Sequence, residues 1–104
     1  MTVRDPFFSE QSDVKDREKT DHPKKYRVIL LNDDYTPMEF VVEILITVFC
    51  KSENDAVQIM MNVHQTGKGI CGTYSHEIAE TKVTRVNELA VQNEHPLKSM
   101  MEEE

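Results

Sequence analysis

The chain predicts an α+β domain in which three helices pack on one face of a small three-stranded antiparallel sheet, in the order βααβαβ. Three observations carry that prediction: β-prone apolar runs near residues 26–31, 70–74 and 97–101, apolar residues at helical spacing between them, and cap or turn residues at the junctions. With 104 residues and 38% hydrophobic content there is material for one core and no more.

Residues 1–24 are polar and charged, carry Pro6 and Pro23, and offer only Val3, Phe7, Phe8 and Val14 as larger apolar groups. That is too little to bury a face, so a flexible, disordered N-terminal arm is expected, followed by a core domain over 25–104. The first strand is Tyr26, Arg27, Val28, Ile29, Leu30, Leu31. Thr36 as N-cap, Pro37 at the first helical position and Glu39 three residues past the cap then form a capping box. The helix they open runs from Pro37 to about Phe49, with Phe40, Val41, Ile44, Leu45, Val48 and Phe49 on a wide inner face. Ser52 with Asp55 makes a weaker box for a second helix, whose Val57, Met60, Met61 and His64 share a face and which Gly67 or Gly69 stops.

Ile70 to Tyr74 reads as a strand, with Gly72 marking a bulge or the close approach of another group. Ser75 caps a third helix to about Gln92, with Glu77 and Glu80 near its positive end and Ala79, Val83, Val86 and Ala90 inward. Residues 93–96 break it, and Leu97 to Met101 form the last strand ahead of an acidic end, Glu102 to Glu104.

Net charge of -7 and a pI near 5.0 argue against nucleic acid, which demands clustered Lys and Arg. No run approaches the roughly 20 apolar residues of a membrane span, and residues 1–10 lack the order of a signal peptide, so a cytoplasmic protein with no membrane partner is expected. Cys50 and Cys71 have no metal-ligand or CxxC spacing and read as reduced, partly buried residues. There is no nucleophile elbow, no HExxH and no phosphate-cradling loop, so neither a catalytic residue nor a cofactor is assigned.

One segment concentrates acceptors between an apolar strand and an apolar helix: Asn32, Asp33, Asp34, Tyr35, Thr36. Asn and Asp favour turns by bonding their own backbone, so a plain turn accounts for the composition as well as a site does. His64, on the stripe with Val57 and Met60, is by spacing a structural histidine with its nitrogens satisfied locally. If the acceptor loop folds over the end of the second helix, however, His64 joins it beside a hollow lined by methionines, which suits a cation next to a large apolar group. Asp33, Asp34 and His64 could alternatively hold a metal and activate water.

Tyr26 to Phe40 (YRVILLNDDYTPMEF), Val63 to Gly72 (VHQTGKGICG), Glu77 to Val83 (EIAETKV) and Asn93 to Leu97 (NEHPL) together resemble the ClpS family of adaptors for the ATP-dependent Clp protease. Their order and spacing cover most of the folded part. The resemblance implies an adaptor without enzymatic activity, with a fold like that of the C-terminal domain of ribosomal stalk proteins. It implies capture of N-degron proteins beginning with Phe, Leu, Trp or Tyr and delivery to a Clp AAA+ unfoldase of the ClpA type. By the same resemblance Asn32, Asp33, Asp34 and His64 surround the substrate's α-ammonium and first peptide group. Thr36, Met38, Val41, Met60, Val63 and Leu97 form the side-chain pocket, with Met38 excluding β-branched residues. The resemblance also implies that Glu77 and Lys82 dock the N-terminal domain of the unfoldase and that the unfoldase pore engages the arm during transfer; Met61 and Asn62 carry no assigned role. A small metal-assisted hydrolase, or an assembly domain like those of stalk proteins, is the alternative to an adaptor.

Overall fold

A computed structural model describes residues 23–104, so all but the last two residues of the expected arm lie outside the described residues. The element order is β1 (Lys25–Leu31), α1 (Met38–Thr47), α2 (Glu53–Thr66), β2 (Lys68–Ser75), α3 (His76–Gln92) and β3 (Lys98–Glu103). The βααβαβ order is the expected one.

β1 is central in an antiparallel sheet of order β2-β1-β3, and its composition says why. Val28, Ile29 and Leu30 are 0–2% exposed, and because successive side chains point to opposite faces, burial of all three suits the central strand, flanked by neighbours on both sides. Val28 and Leu30 enter the core with Leu45, Val63 and Val86 beneath the helices. Ile29 points to the other face, where its register partners Ile70 and Met100 flank it. Each fully buried aliphatic side chain contributes roughly 1.5–3 kcal/mol.

The junctions depart from expectation at α1. Pro37, not Thr36, is the N-cap residue, in extended conformation and without a side-chain cap, and the capping box does not form. The reason is competition: the Thr36 hydroxyl and N–H both donate to the Asp33 carboxylate, at 2.7 Å each, and a charged acceptor outbids a distant cap. The Pro37 carbonyl instead accepts the first helical N–H groups, from Phe40 and Val41. At its far end α1 stops at Thr47, two residues early. Cys50 then adopts a positive φ of 57° and the Lys51 N–H returns to the Leu45 carbonyl, reversing the chain while Phe49 stays buried.

Ser52 does cap α2, its Oγ accepting the Asp55 N–H at 3.1 Å, and Gly67 ends it at φ +95°, a conformation that suits a residue without Cβ. The buried stripe is rotated from the expected one. Ala56 and Val63 are buried and Ile59 and Met60 half-buried, whereas Val57, Met61 and His64 are exposed. Each residue turns the helix by about 100°, so reading the stripe one position off turns it away from the core.

β2 contains the bulge announced by Gly72: Val28 pairs with Gly72 but Ile29 with Ile70, leaving Cys71 as the extra residue. The Tyr74 ring lies over Gly72 where a Cβ would sit, so the bulge and the close approach are both present. Both cysteines are free thiols. Cys50 is exposed rather than partly buried, and burial pushes the Cys71 thiol up to about 12.

α3 buries Ala79, Val86 and Ala90 and half-buries Val83, as its spacing predicts, although Ser75 makes no side-chain cap bond. β3 starts at Lys98 and takes in two residues of the acidic end. Glu102 pairs with Arg27 at 3.3 Å across the strands and Glu103 lies 3.4 Å from Lys24, so these carboxylates complete the sheet. Ser99, 7% exposed, ties β3 to α3: its N–H donates to Asn87 Oδ1 and its hydroxyl to the Val83 carbonyl.

Candidate functional site

β1 and α2 end at the same edge of the domain, and one backbone bond fastens them there. The Asn32 N–H donates to the Gly67 carbonyl at 2.9 Å, so the loop after β1 is held against the C-terminus of α2. The chain then enters α1 and brings Met38 and Val41 to the same place. The result is a hollow of about 210 Å³ lined by Asn32, Asp33, Asp34, Thr36, Met38, Val41, Met60, Val63 and His64. Sites for drug-sized ligands measure roughly 300–1,000 Å³, so this one suits a single side chain and the groups attached to it.

Nine of the ten candidate residues for the amine and side-chain sites therefore converge. The tenth, Leu97, is 3% exposed in the core and is not among the lining residues. Glu77 is exposed on the first turn of α3, away from the hollow. Lys82 is half-buried: its Nζ donates to the Val48 carbonyl at 2.8 Å and stands 5.3 Å from the Tyr74 ring centroid and 5.8 Å from that of Phe49. That ammonium satisfies a carbonyl left open where α1 stops.

The two neighbouring aspartates differ in what they do. Asp33 accepts from the Tyr35 N–H at 2.8 Å and from the Thr36 N–H and hydroxyl, which makes its carboxylate the hub of the loop. Burial by itself raises its pKa, but these three bonds, with His95 nearby, outweigh it and hold the carboxyl below its ordinary value. Asp34, Asn32 and His64 are exposed and face the hollow, while Met38, Val41, Met60 and Val63 supply its apolar part. Two supporting residues are invisible to local spacing. Gly67 contributes its carbonyl, and His95 stacks edge-on against Phe40 at 4.6 Å between centroids, from a segment distant in sequence.

A hydrolase reading loses its ligand set here. The Asp33 oxygens are committed to the loop, and no group of three metal-ligating side chains occurs among the described residues. The hollow joins carboxylate, amide and imidazole groups on one side to an apolar wall of Met38, Val41, Met60 and Val63 on the other, an arrangement with the chemistry to receive a cation beside an apolar group. Among the described residues no helix is long and apolar enough to cross a membrane.

Comparison with known proteins names the family. Residues 21–100 match the family model described as ATP-dependent Clp protease adaptor protein ClpS. The ClpS adapter protein of Desulforapulum autotrophicum is 53% identical over 104 residues, all of both chains, and that of Bartonella quintana is 59% identical over 88 residues, 85% of this chain and 80% of its own. The structure of Agrobacterium tumefaciens ClpS2 bound to L-phenylalaninamide superposes with a TM-score of 0.78 at 41% identity, covering 80% of this chain and all of that one. The chain belongs to the ClpS family, whose members are adaptors of the Clp protease and not enzymes.

Proposed function

We propose that this chain binds proteins by a free N-terminal Phe, Leu, Trp or Tyr and delivers them to a Clp AAA+ unfoldase of the ClpA type. The observation that carries the reading is the convergence, in one hollow, of Asn32, Asp34 and His64 with Met38, Val41, Met60 and Val63. An α-ammonium presents three donors, and only a chain terminus carries one beside a side chain and a peptide group. A charge-assisted hydrogen bond contributes about 1.5–3 kcal/mol and a buried Leu or Phe about as much, so neither half suffices alone and selectivity requires both. The ligand of the Agrobacterium relative, an amino acid amide with a free amine and a benzyl side chain, has this chemistry.

Asp33 serves the site through the loop it organises, and its negative charge at the edge of the hollow favours an ammonium there. Thr36 and Met38 stand where the loop enters α1, and to Met38, 46% exposed and lining the hollow, the reading assigns the exclusion of branching at Cβ. Leu97 supports the pocket from the core. Docking of the unfoldase's N-terminal domain is assigned to the α3 face around Glu77 and Lys82, with Lys82 contributing its stem as much as its charge. Residues 1–24 are assigned to the unfoldase pore.

The test is fluorescence anisotropy of a labelled peptide beginning with Phe, beside its N-acetylated form. Binding of the free-amine peptide alone supports the reading, and equal or absent binding of the two refutes it.

A further inference from the structure

We infer that Gly69 sets the distance between α2 and the sheet, and thereby the fit of the hollow to different bulky N-terminal residues. This rests on the reading of the hollow as the N-terminal residue site.

Gly69 lies buried in β2, paired with Leu30, directly under α2. A Cβ on it would stand 2.7 Å from Val63 Cγ2, 3.3 Å from the Ile59 carbonyl oxygen and 3.4 Å from Ile59 Cγ2. Carbon atoms in contact prefer about 3.5–4.0 Å, so roughly 1 Å of clearance is missing. Val63 cannot swing aside, because a β-branched side chain on a helix has one strongly preferred χ1, and the Ile59 oxygen is backbone. The contact is relieved by separating α2 from β2.

That motion reaches the site because the hollow is built from two bodies. Met60, Val63 and His64 ride on α2, while Asn32, Asp33, Asp34 and Thr36 hang from β1. The seam between them is the bond from the Asn32 N–H to the Gly67 carbonyl. Raising α2 therefore separates the imidazole from the carboxylate loop and shifts the Met60 and Val63 wall relative to Met38 and Val41. The two glycines flanking Lys68 thus act differently. Gly67 has a positive φ and nothing within 4 Å of its Cβ position, a conformational requirement, whereas the Gly69 requirement is one of space.

The experiment compares wild type, Gly69→Ala, Val63→Ala and the double variant in anisotropy titrations with free-amine peptides beginning with Leu, Phe and Trp, with thermal melts as the fold control. A site loosened by about 1 Å loses much of its precision, so folded Gly69→Ala is expected to bind the Phe peptide at least about tenfold more weakly and to shift the Phe:Leu preference by at least about threefold. Truncating Val63 removes the 2.7 Å contact and leaves the 3.3 Å approach to the Ile59 oxygen, which a shift of a few tenths of an ångström accommodates, so the double variant folds and keeps the Val63→Ala preference within about twofold. A folded Gly69→Ala with wild-type affinities and ratios overturns the inference. Should that variant not fold, the pair Val63→Ala and double variant decides, and an unfolded double variant or a changed preference overturns it equally. Wild type that fails to distinguish free-amine from acetylated Phe peptide defeats the underlying reading instead.

Discussion

Asp33 and Asp34 are adjacent, carry the same charge and line the same hollow, yet only Asp33 is hydrogen-bonded within the loop, so the proposed function gives them separable roles. Asp33→Ala removes three hydrogen bonds, to the Tyr35 N–H, the Thr36 N–H and the Thr36 hydroxyl. Each is worth about 0.5–1.5 kcal/mol net, and water recovers part of the loss in a half-exposed loop, so the expected destabilisation is about 2 kcal/mol. Asp34 is exposed, and its replacement by Ala should leave stability within about 0.5 kcal/mol. Binding behaves otherwise. Loss of one charged acceptor for the ammonium at an exposed position costs about 1.5 kcal/mol, roughly tenfold in affinity, so Asp34→Ala should lose about that, and Asp33→Ala should lose at least as much because the loop that carries Asn32 and Asp34 loses its hub. Urea unfolding followed by circular dichroism gives the first quantity and anisotropy of the Phe peptide the second. Thr36→Val, which deletes only the hydroxyl donor, should fall between wild type and Asp33→Ala in stability. An Asp33→Ala variant as stable as wild type, or an Asp34→Ala variant destabilised to the same degree, would refute the division of labour.

Met38→Ala should open the mouth of the hollow and admit peptides beginning with Ile or Val, read as a smaller ratio of Phe to Val affinity; continued exclusion of both places the gate elsewhere. Lys82→Met keeps the stem but deletes the bond to the Val48 carbonyl and the approach to Tyr74, and should lower stability by about 1–2 kcal/mol in urea. Glu77→Ala, on an exposed turn, should not, so weakened unfoldase docking by Glu77→Ala at unchanged stability separates contact from scaffold. The pH dependence follows from Asp33: its folded carboxyl lies below the ordinary 3.8, so in that range the unfolded state binds more protons and stability rises with pH. The stability advantage of wild type over Asp33→Asn should therefore be constant above about pH 5 and shrink as pH falls through the folded value, and a gap that widens on acidification contradicts the assignment.

Elements were legible where the signal was local and redundant. The apolar run of β1, the Ser52 cap and the inner face of α3 stand as read, and the structure takes Gly67 of the two glycines offered as the stop of α2 and gives Gly72 both the bulge and the close approach. The failures have two causes. The Thr36 capping box lost to a carboxylate three residues upstream, and the α2 stripe was rotated because Ile59 and Val63, not Val57 and Met61, meet the sheet and its Gly69. In the first case two local options compete and the charged acceptor wins, and in the second the sheet brought in by the fold chooses the face of α2.

The site divides in the same way. Sequence by itself determined the family, the order of elements and the residue types of the hollow, because short motifs in fixed order survive without knowledge of contacts. Tertiary structure decided that Asp33 holds the loop while Asn32, Asp34 and His64 stand exposed at the hollow, that Leu97 lies outside the lining, and that Lys82 answers an open carbonyl of α1. It also decided that a missing Cβ at Gly69 carries the spacing of α2. Hydrogen bonds and steric clearances join residues far apart in the chain, such as Val48 with Lys82 or Phe40 with His95, and no periodicity along the sequence encodes a distance between them.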